Sequence, residues 1–543
     1  MPEARGIVRW AVDRAAAWYW GLTAERCSYT VETLRIPIGG DIHLLAQLYQ
    51  PISGAKPPGT VVAIGPYGRN AVVAVGTVRL FASRGYQGLL VSVRGTFGSG
   101  GAFDAGSTNT VDTQAVVSWM QRQPWYSGAF AMVGVSYLGL TQWATLENQP
   151  PDMAAAVIAV GPHDLGQYVW GTGALNLDLL TWANLIAHQD ERGGFVASQI
   201  KTQRSKNSLQ SIFTAVPLAD AAERYLEGRT PWLRDRIERA DLADPFWKPM
   251  KHEGAVERAT LPILLVSGWQ DVFLDQTMAQ YRTLQRRGVP VALTVGPWHH
   301  AQVYSDTVVL ETYRWIEQHL GQRPDHARDS PVRFYVTGAN EWRNSSVWPP
   351  PPLPTTPREF FLGPETLSDE KPSGTLADSR FTFAPDDPTP AVGGPRLSHS
   401  GIYTDNALEK RDDVLIFASA PLASDVEMLG RCSVELAHSS GPHADLFVRI
   451  SDVHANGTSR YVTETYRRLD PDRLPGDAVR IDFPDCAHRF KTGHSVRLII
   501  AGGNYPHYLY NTGTGDAASA KPVTHFIHHA EDRISKLTLP VVT

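Results

Sequence analysis

The sequence predicts a mostly parallel α/β domain, opened by a helical insertion and followed by an all-β domain. Three observations carry this. Short, continuous apolar runs alternate with amphipathic segments between residues 60 and 160, and again between 262 and 320. The stretch from His163 to about Glu257 is instead helical throughout and rich in Leu, Ala, Gln and Arg. After Pro349–Pro357 (PPPPLPTTP) the helical period vanishes and short apolar runs recur between Gly, Pro, Asp and Asn clusters. Alternating strands and helices imply a parallel sheet. Evenly spaced short strands imply a β-sandwich, read here as a jelly roll. At 543 residues the chain is too long for one core, so two or three domains are expected.

The first segment, RGIVRWAVDRAAAWYWGL, places Ile7, Trp10, Ala11, Ala15 and Trp18 at helical spacing. It predicts an amphipathic helix, within residues 1–25, whose apolar side packs on the body of the protein. The alternative is a helix lying on a membrane surface, because Trp18, Tyr19 and Trp20 cluster. Arg9, Asp13 and Arg14 break any signal-peptide core.

From Cys27 to Gln50 the pattern alternates, which predicts antiparallel strands. Thr60–Gly65 and Gly88–Val93 read as buried strands, with a helix over Thr77–Ser83 between them. Val111–Gln123 reads as helix, Ala131–Val133 as strand, and Ala154–Val160 as the next strand. Past the insertion, Pro262–Gly268 and Val291–Gly296 return to buried-strand character, separated by a helix over Gln276–Arg287. Thr307–Leu320 is the last helix of this domain. The expected units are residues 26–161 and 258–348 for the α/β domain, 162–257 for the cap, and 349–543 for the β domain.

Composition excludes several classes. With 43% hydrophobic and 19% charged residues the chain is an ordinary globular one. A net charge of −5 gives no reason to expect nucleic acid or an anionic membrane as partner. No apolar run reaches the ~18 residues of a spanning helix. Cys27, Cys432 and Cys486 fit neither a disulfide framework nor a metal cluster, so reduced thiols in a cytoplasmic protein are expected. No cofactor is called for, and His299-His300 lacks the further ligand spacing of a metalloenzyme. A homo-oligomer is compatible with the sequence.

The chemistry centres on AFAMVGVSYLGLTQWAT, residues 129–145. An apolar run ends at Gly134, Ser136 follows at the corner, and a helical segment begins. That arrangement is a nucleophile elbow of the α/β-hydrolase type, which lifts the serine hydroxyl above the sheet. Its second glycine falls one place late, at Gly139, with Leu138 in the usual position. A serine hydroxyl needs a base, and the base needs an acid to fix its tautomer. Asp271 follows the strand Pro262–Gly268, and His299-His300 follow Val291–Gly296. The chain order Ser, Asp, His is that of α/β-hydrolases.

GVSYLGLTQW, GWQDVF and GPWHH, in this order, closely resemble the cocaine-esterase-like serine hydrolases. That group is related to the X-prolyl dipeptidyl-peptidases and the α-amino-acid ester hydrolases. The similarity runs from about Val31 to the C-terminus and includes FYVTGANEW (Phe334–Trp342) and GGNY (Gly502–Tyr505). The resemblance implies a catalytic α/β domain, an inserted helical cap and a C-terminal jelly roll. It implies Ser136 as nucleophile, His300 as base and Asp271 as its partner. It also implies an oxyanion site made by the N–H of Tyr137 and the hydroxyl of Tyr67. Trp170, Trp182, Phe273 and Leu436 match positions that line the substrate pocket. Leu436 stands where the family carries an aromatic, and Ser92 where it carries an acidic residue.

The expected reaction is hydrolysis of a small carboxylic ester, or an amide, through an acyl-enzyme. The alternatives are an X-prolyl dipeptidyl-peptidase, or an α-amino-acid ester hydrolase or acylase. A third, of another class, is a non-catalytic β-sandwich binding protein.

Overall fold

The computed structural model describes residues 2–190, 209–350, 355–374, 376–474 and 477–542. Its first half is built on one sheet of eleven strands in the order β1-β2-β3-β5-β4-β6-β7-β8-β9-β10-β11. They are β1 (Glu3–Ala4), β2 (Ser28–Gly39), β3 (Ile42–Ile52), β4 (Thr60–Gly65), β5 (Gln87–Ser92) and β6 (Phe130–Val135). β7 (Met153–Ala159), β8 (Ile263–Gln270), β9 (Val291–His299), β10 (Val332–Val336) and β11 (Glu341–Ser345) complete it. From β5 to β10 all neighbours are parallel, and antiparallel strands close both edges. Every residue of β4, β5 and β8 is buried, as a sheet covered on both faces requires. The chain leaves β4 toward one side of the sheet and β6 toward the other. The crevice beyond their carboxyl ends is therefore the topological switch point, where α/β proteins bind ligands.

Two elements differ from the sequence reading. The helix expected over Thr77–Ser83 begins earlier, at Ala71, and runs through a π turn at Val75–Arg79 to Ala82. Asn70 starts it: its side-chain oxygen accepts from the N–H groups of Val72 and Val73.

The N-terminal helix, Ile7–Tyr19, forms as expected but packs the other way round. Its buried residues are Asp13 and Ala17, whereas Ile7 is 85% and Trp18 84% exposed. Asp13 accepts from Tyr29 Oη at 2.6 Å and pairs with Arg5 at 2.8 Å and Arg79 at 2.6 Å. A buried charge network, and not the apolar stripe, holds this helix. No helix among the described residues is long and apolar enough to cross a membrane.

Between β7 and β8 the chain forms short helices, among them Leu165–Trp170, Asp178–His188, Leu218–Tyr225 and Leu233–Glu238. Residues 191–208 of the expected cap lie outside the described residues. Leu175, Leu180, Ala222, Trp232 and Trp247 are among the residues of a separate apolar core for this layer. Arg236 ties the layer to the loop after β5, reaching Asp104 at 3.0 Å.

The remainder is a mostly antiparallel β domain around its own core, in which β13 (Thr366–Ser368) and β15 (Val414–Ser419) pair in parallel. Its first strand, β12 (Thr355–Gly363), begins inside the proline-rich segment read as a boundary. Pro357 there stands opposite Pro540 of β22 (Lys536–Val542). Cys432 and Cys486, distant in sequence, bring their sulfurs to 3.8 Å in this core.

Candidate active site

Ser136 ends β6 and caps the helix Tyr137–Leu146 with φ 58° and ψ −123°. That backbone costs a non-glycine residue on the order of 1–3 kcal/mol. The turn persists because its surroundings allow nothing wider. Ser136 N–H donates to Ala159 O of β7 at 2.9 Å. A Cβ on Gly134 would come within 2.3 Å of the Leu138 side chain, and one on Gly139 within 2.6 Å of Gly161 Cα. The displaced second glycine thus admits the loop after β7.

Register brings the other two groups together. Gln270 of β8 stands opposite His299 of β9, so the next residues, Asp271 and His300, leave neighbouring strands side by side. His300 Nδ1 lies 2.7 Å from Asp271 Oδ1. An ionised carboxylate only accepts, so Nδ1 carries the proton and Nε2 is left as acceptor. His300 Nε2 lies 3.0 Å from Ser136 Oγ. Asp271 is 3% exposed, and its other oxygen accepts from Ser267 Oγ at 3.0 Å. Phe273 sets its ring edge-on to His300, centroids 5.4 Å apart.

Tyr67 follows β4. Burial raises the pKa of its hydroxyl, and hydrogen bonds with Ser136, Trp182 and the Tyr137 N–H act in the opposite direction. The hydroxyl and the Tyr137 N–H therefore converge beside Ser136 Oγ, one from each side of the switch point. The Tyr137 ring stacks on Trp182, centroids 5.9 Å apart and 18° from parallel, and its hydroxyl donates to Asn109 Oδ1 at 3.2 Å.

These groups open on a cavity of about 630 Å³, whose lining is mostly apolar. Trp182 and Phe273 line it, as the sequence reading expects. Two expected residues do not. Trp170 is half-buried against the cap core, with Nε1 donating to Arg236 O at 2.8 Å. Leu436 is fully buried inside the β domain, opposite Val479.

Residues missed from sequence include Tyr168, Tyr304 and Leu397. Tyr168 is on the same helix as Trp170, two residues earlier, hence about 200° round it. Its ring lies 4.8 Å from that of Phe273, and its hydroxyl has no hydrogen-bond partner. None of the described residues lining the cavity is Asp or Glu.

His299 is excluded from the relay. Its Nδ1 is buried without a partner, and burial, then neighbouring His300, lower its pKa. Ser92 has a local role, its hydroxyl accepting from Arg69, while Arg94 grips Asp112.

Residues 39–302 match the family described as X-Pro dipeptidyl-peptidase (S15 family), and residues 325–538 match the X-Pro dipeptidyl-peptidase C-terminal non-catalytic domain. Over 579 aligned positions the chain is 27% identical to cocaine esterase of Rhodococcus sp. (strain MB1 Bresler), covering 95% of this chain and 99% of the relative. Among solved structures, a selenomethionine-labelled α-amino acid ester hydrolase superposes with a TM-score of 0.78 at 20% identity, covering 96% of this chain and 98% of the other. An aminopeptidase from a marine sediment Thaumarchaeota archaeon gives 0.77 at 20% identity, over 95% and 97%. With both halves matched in order, the chain belongs to the X-Pro dipeptidyl-peptidase (S15) family of α/β-hydrolases that carry a C-terminal non-catalytic domain.

Proposed function

We propose that the protein is a serine hydrolase that cleaves carboxylic esters of apolar acids through an acyl-enzyme. The observation that carries this is the continuous chain Asp271–His300–Ser136, with contacts of 2.7 and 3.0 Å, opening on a largely apolar cavity. Ser136 Oγ attacks the ester carbonyl while His300 Nε2 takes its proton. Asp271 keeps the imidazole in the accepting tautomer and stabilises the imidazolium that forms. Negative charge develops on the carbonyl oxygen, where the Tyr67 hydroxyl and the Tyr137 N–H donate to it. Collapse breaks the ester C–O bond, and His300 returns the proton to the departing alkoxide. Water, deprotonated by His300, then attacks the acyl carbon; the bond to Ser136 Oγ breaks, His300 returns the proton to Oγ, and the acid is released.

An ester is favoured over an aminoacyl-proline amide or an α-amino ester. A free α-ammonium group seated in this cavity meets no carboxylate among the described lining residues, and burying it unpaired is costly. The cocaine-esterase relative points the same way. The division into residues 1–25, 26–161, 162–257, 258–348 and 349–543 belongs to this reading. So do the jelly-roll form of the last unit and a cytoplasmic location, supported by three unbonded cysteines.

The test is a hydrolysis screen of purified protein over aryl esters, aliphatic esters, aminoacyl-proline amides and β-lactam acyl amides, with Ser136→Ala as control. Esters should be turned over fastest and the control should be inert. Preference for the aminoacyl-proline amides would overturn the ester reading.

A further inference from the structure

A second cluster of chemistry-bearing side chains lies in the C-terminal domain. Asp452 is near the end of β17 (Asp445–Val453), and His454 follows in a turn in which Gly457 N–H donates to His454 O at 2.8 Å. His488 is on β19 (Ala478–Phe490), and His494 directly precedes β20 (Ser495–Ala501). β17 and β20 pair with Val453 opposite Ser495, which brings Asp452 and His494 to the same end of the ladder.

One carboxylate there faces three imidazoles. Asp452 Oδ1 lies 2.8 Å from His494 Nδ1, and Oδ2 lies 3.3 Å from His488 Nε2 and 3.7 Å from His454 Nε2. The His454 and His494 rings stack at 4.5 Å. One donor atom from each of Asp452, His454 and His494 falls within 4.8 Å of the other two. Donors around a tetrahedral ion with bonds of about 2.0–2.2 Å are roughly 3.4 Å apart, so a small inward movement closes the shell.

Hydrogen bonding leaves this cluster unfinished. Among the described residues only His494 meets the geometry of a hydrogen bond to the carboxylate. His488 is 5% exposed, and its Nε2, aimed at Asp452 Oδ2, has no hydrogen-bond partner. Its other nitrogen is held 2.8 Å from Thr337 Oγ1, in the turn between β10 and β11. Two imidazoles and one carboxylate are the donor set of a borderline transition metal rather than of calcium or magnesium, which take oxygen ligands.

We propose that Asp452, His454 and His494 bind one divalent ion of the zinc class, with His488 steadying the carboxylate from the interior side. The half-exposed edge at His454 is the entry path and leaves a fourth position for water. The bound ion pins the turn after β17 to β20. Through His488 and Thr337 it also holds the β domain against the α/β sheet.

The full-length protein, stripped with chelator and desalted, is titrated separately with Zn²⁺ and Co²⁺. One Zn²⁺ per chain should survive gel filtration and raise the unfolding midpoint, and Co²⁺ should give visible d–d absorption. His454→Ala, in an exposed turn and safe for folding, and His494→Ala should each weaken binding by at least about 10-fold. His443→Ala, outside the cluster, should bind as the unaltered protein does. No uptake by the unaltered protein, or undiminished uptake by His454→Ala and His494→Ala, would overturn the proposal.

Discussion

Trp182, on the cap, donates its indole N–H to the hydroxyl of Tyr67, at the edge of the central sheet, across 3.3 Å. Because the Tyr67 oxygen accepts this bond, its own proton stays available for the carbonyl oxygen of a substrate. In the proposed mechanism the cap thereby aims the oxyanion donor. Tyr67→Phe should lower kcat by about 100- to 1,000-fold, the ~2.7–4 kcal/mol of one donor, with KM little changed. Trp182→Phe keeps a ring over Tyr137 but loses the N–H. It should cost up to about 10-fold, the scale of one neutral hydrogen bond. Steady-state constants on one ester, with thermal melts as fold control, decide both. Equal kcat for Tyr67→Phe and the unaltered enzyme would remove Tyr67 from the chemistry.

The adjacent histidines separate cleanly. His300 reaches both Asp271 and Ser136, whereas His299 Nδ1 has no partner. His300→Ala should reduce kcat by about six orders of magnitude, as loss of a triad base does. His299→Ala should stay within about 10-fold, since it removes no relay contact. The reverse ranking in a kcat comparison would reassign the base.

At the N-terminus the structure predicts an inverted pattern of sensitivity. Trp18→Ser changes an 84% exposed side chain and should move stability by no more than about 0.5 kcal/mol. Asp13→Ala strips the carboxylate from the buried guanidiniums of Arg5 and Arg79. It should cost about 3–5 kcal/mol. Denaturant midpoints of the two variants test this. A large loss from Trp18→Ser would mean that its ring is covered in solution.

How far the sequence spoke depended on how local the cause was. Ser136 was legible because a strand, a glycine and a helix start force the corner within a few residues. Asp271 and the pair His299-His300 were legible because each lies in the loop just past an apolar run, the resemblance singles out His300 of the two, and neighbouring strands in register bring it to Asp271. The pocket was not. Which face of the helix Leu165–Trp170 meets the cavity depends on how the cap settles, so the resemblance points to Trp170 where Tyr168 lines the space. Leu436 was misplaced for a related reason: a strand alternates two faces, and its face is the interior of the β domain. The N-terminal helix misled because Asp13 finds its partners at Tyr29 and Arg79, pairings that no local pattern announces.

Acid should destabilise the fold through buried neutral histidines. Burial lowers the pKa of His163 to about 4, His438 to about 2 and His525 to about 3. The hydrogen bonds agree. Gln280 donates to His163 Nδ1 at 3.1 Å, and Arg473 donates to His438 Nδ1 at 2.9 Å. His438 Nε2 then faces His525 Nδ1 at 3.1 Å with the one proton between them. The unfolded chain takes up protons near pH 6.5, where the folded one resists, so stability is full above about 6.5 and falls as pH drops toward 4. Unfolding midpoints measured from about pH 7 to about pH 4 should decline steadily. A midpoint that rises on acidification would contradict the neutral assignment.

The most direct test of the central claim is covalent labelling with a fluorophosphonate, which reacts with a serine hydroxyl only when a base activates it. The intact protein should gain the mass of one adduct, and peptide mapping should find it on Ser136. Ser136→Ala should remain unlabelled, and His300→Ala should label far more slowly. No adduct on the folded protein, or an adduct on another residue that persists in Ser136→Ala, would contradict the account.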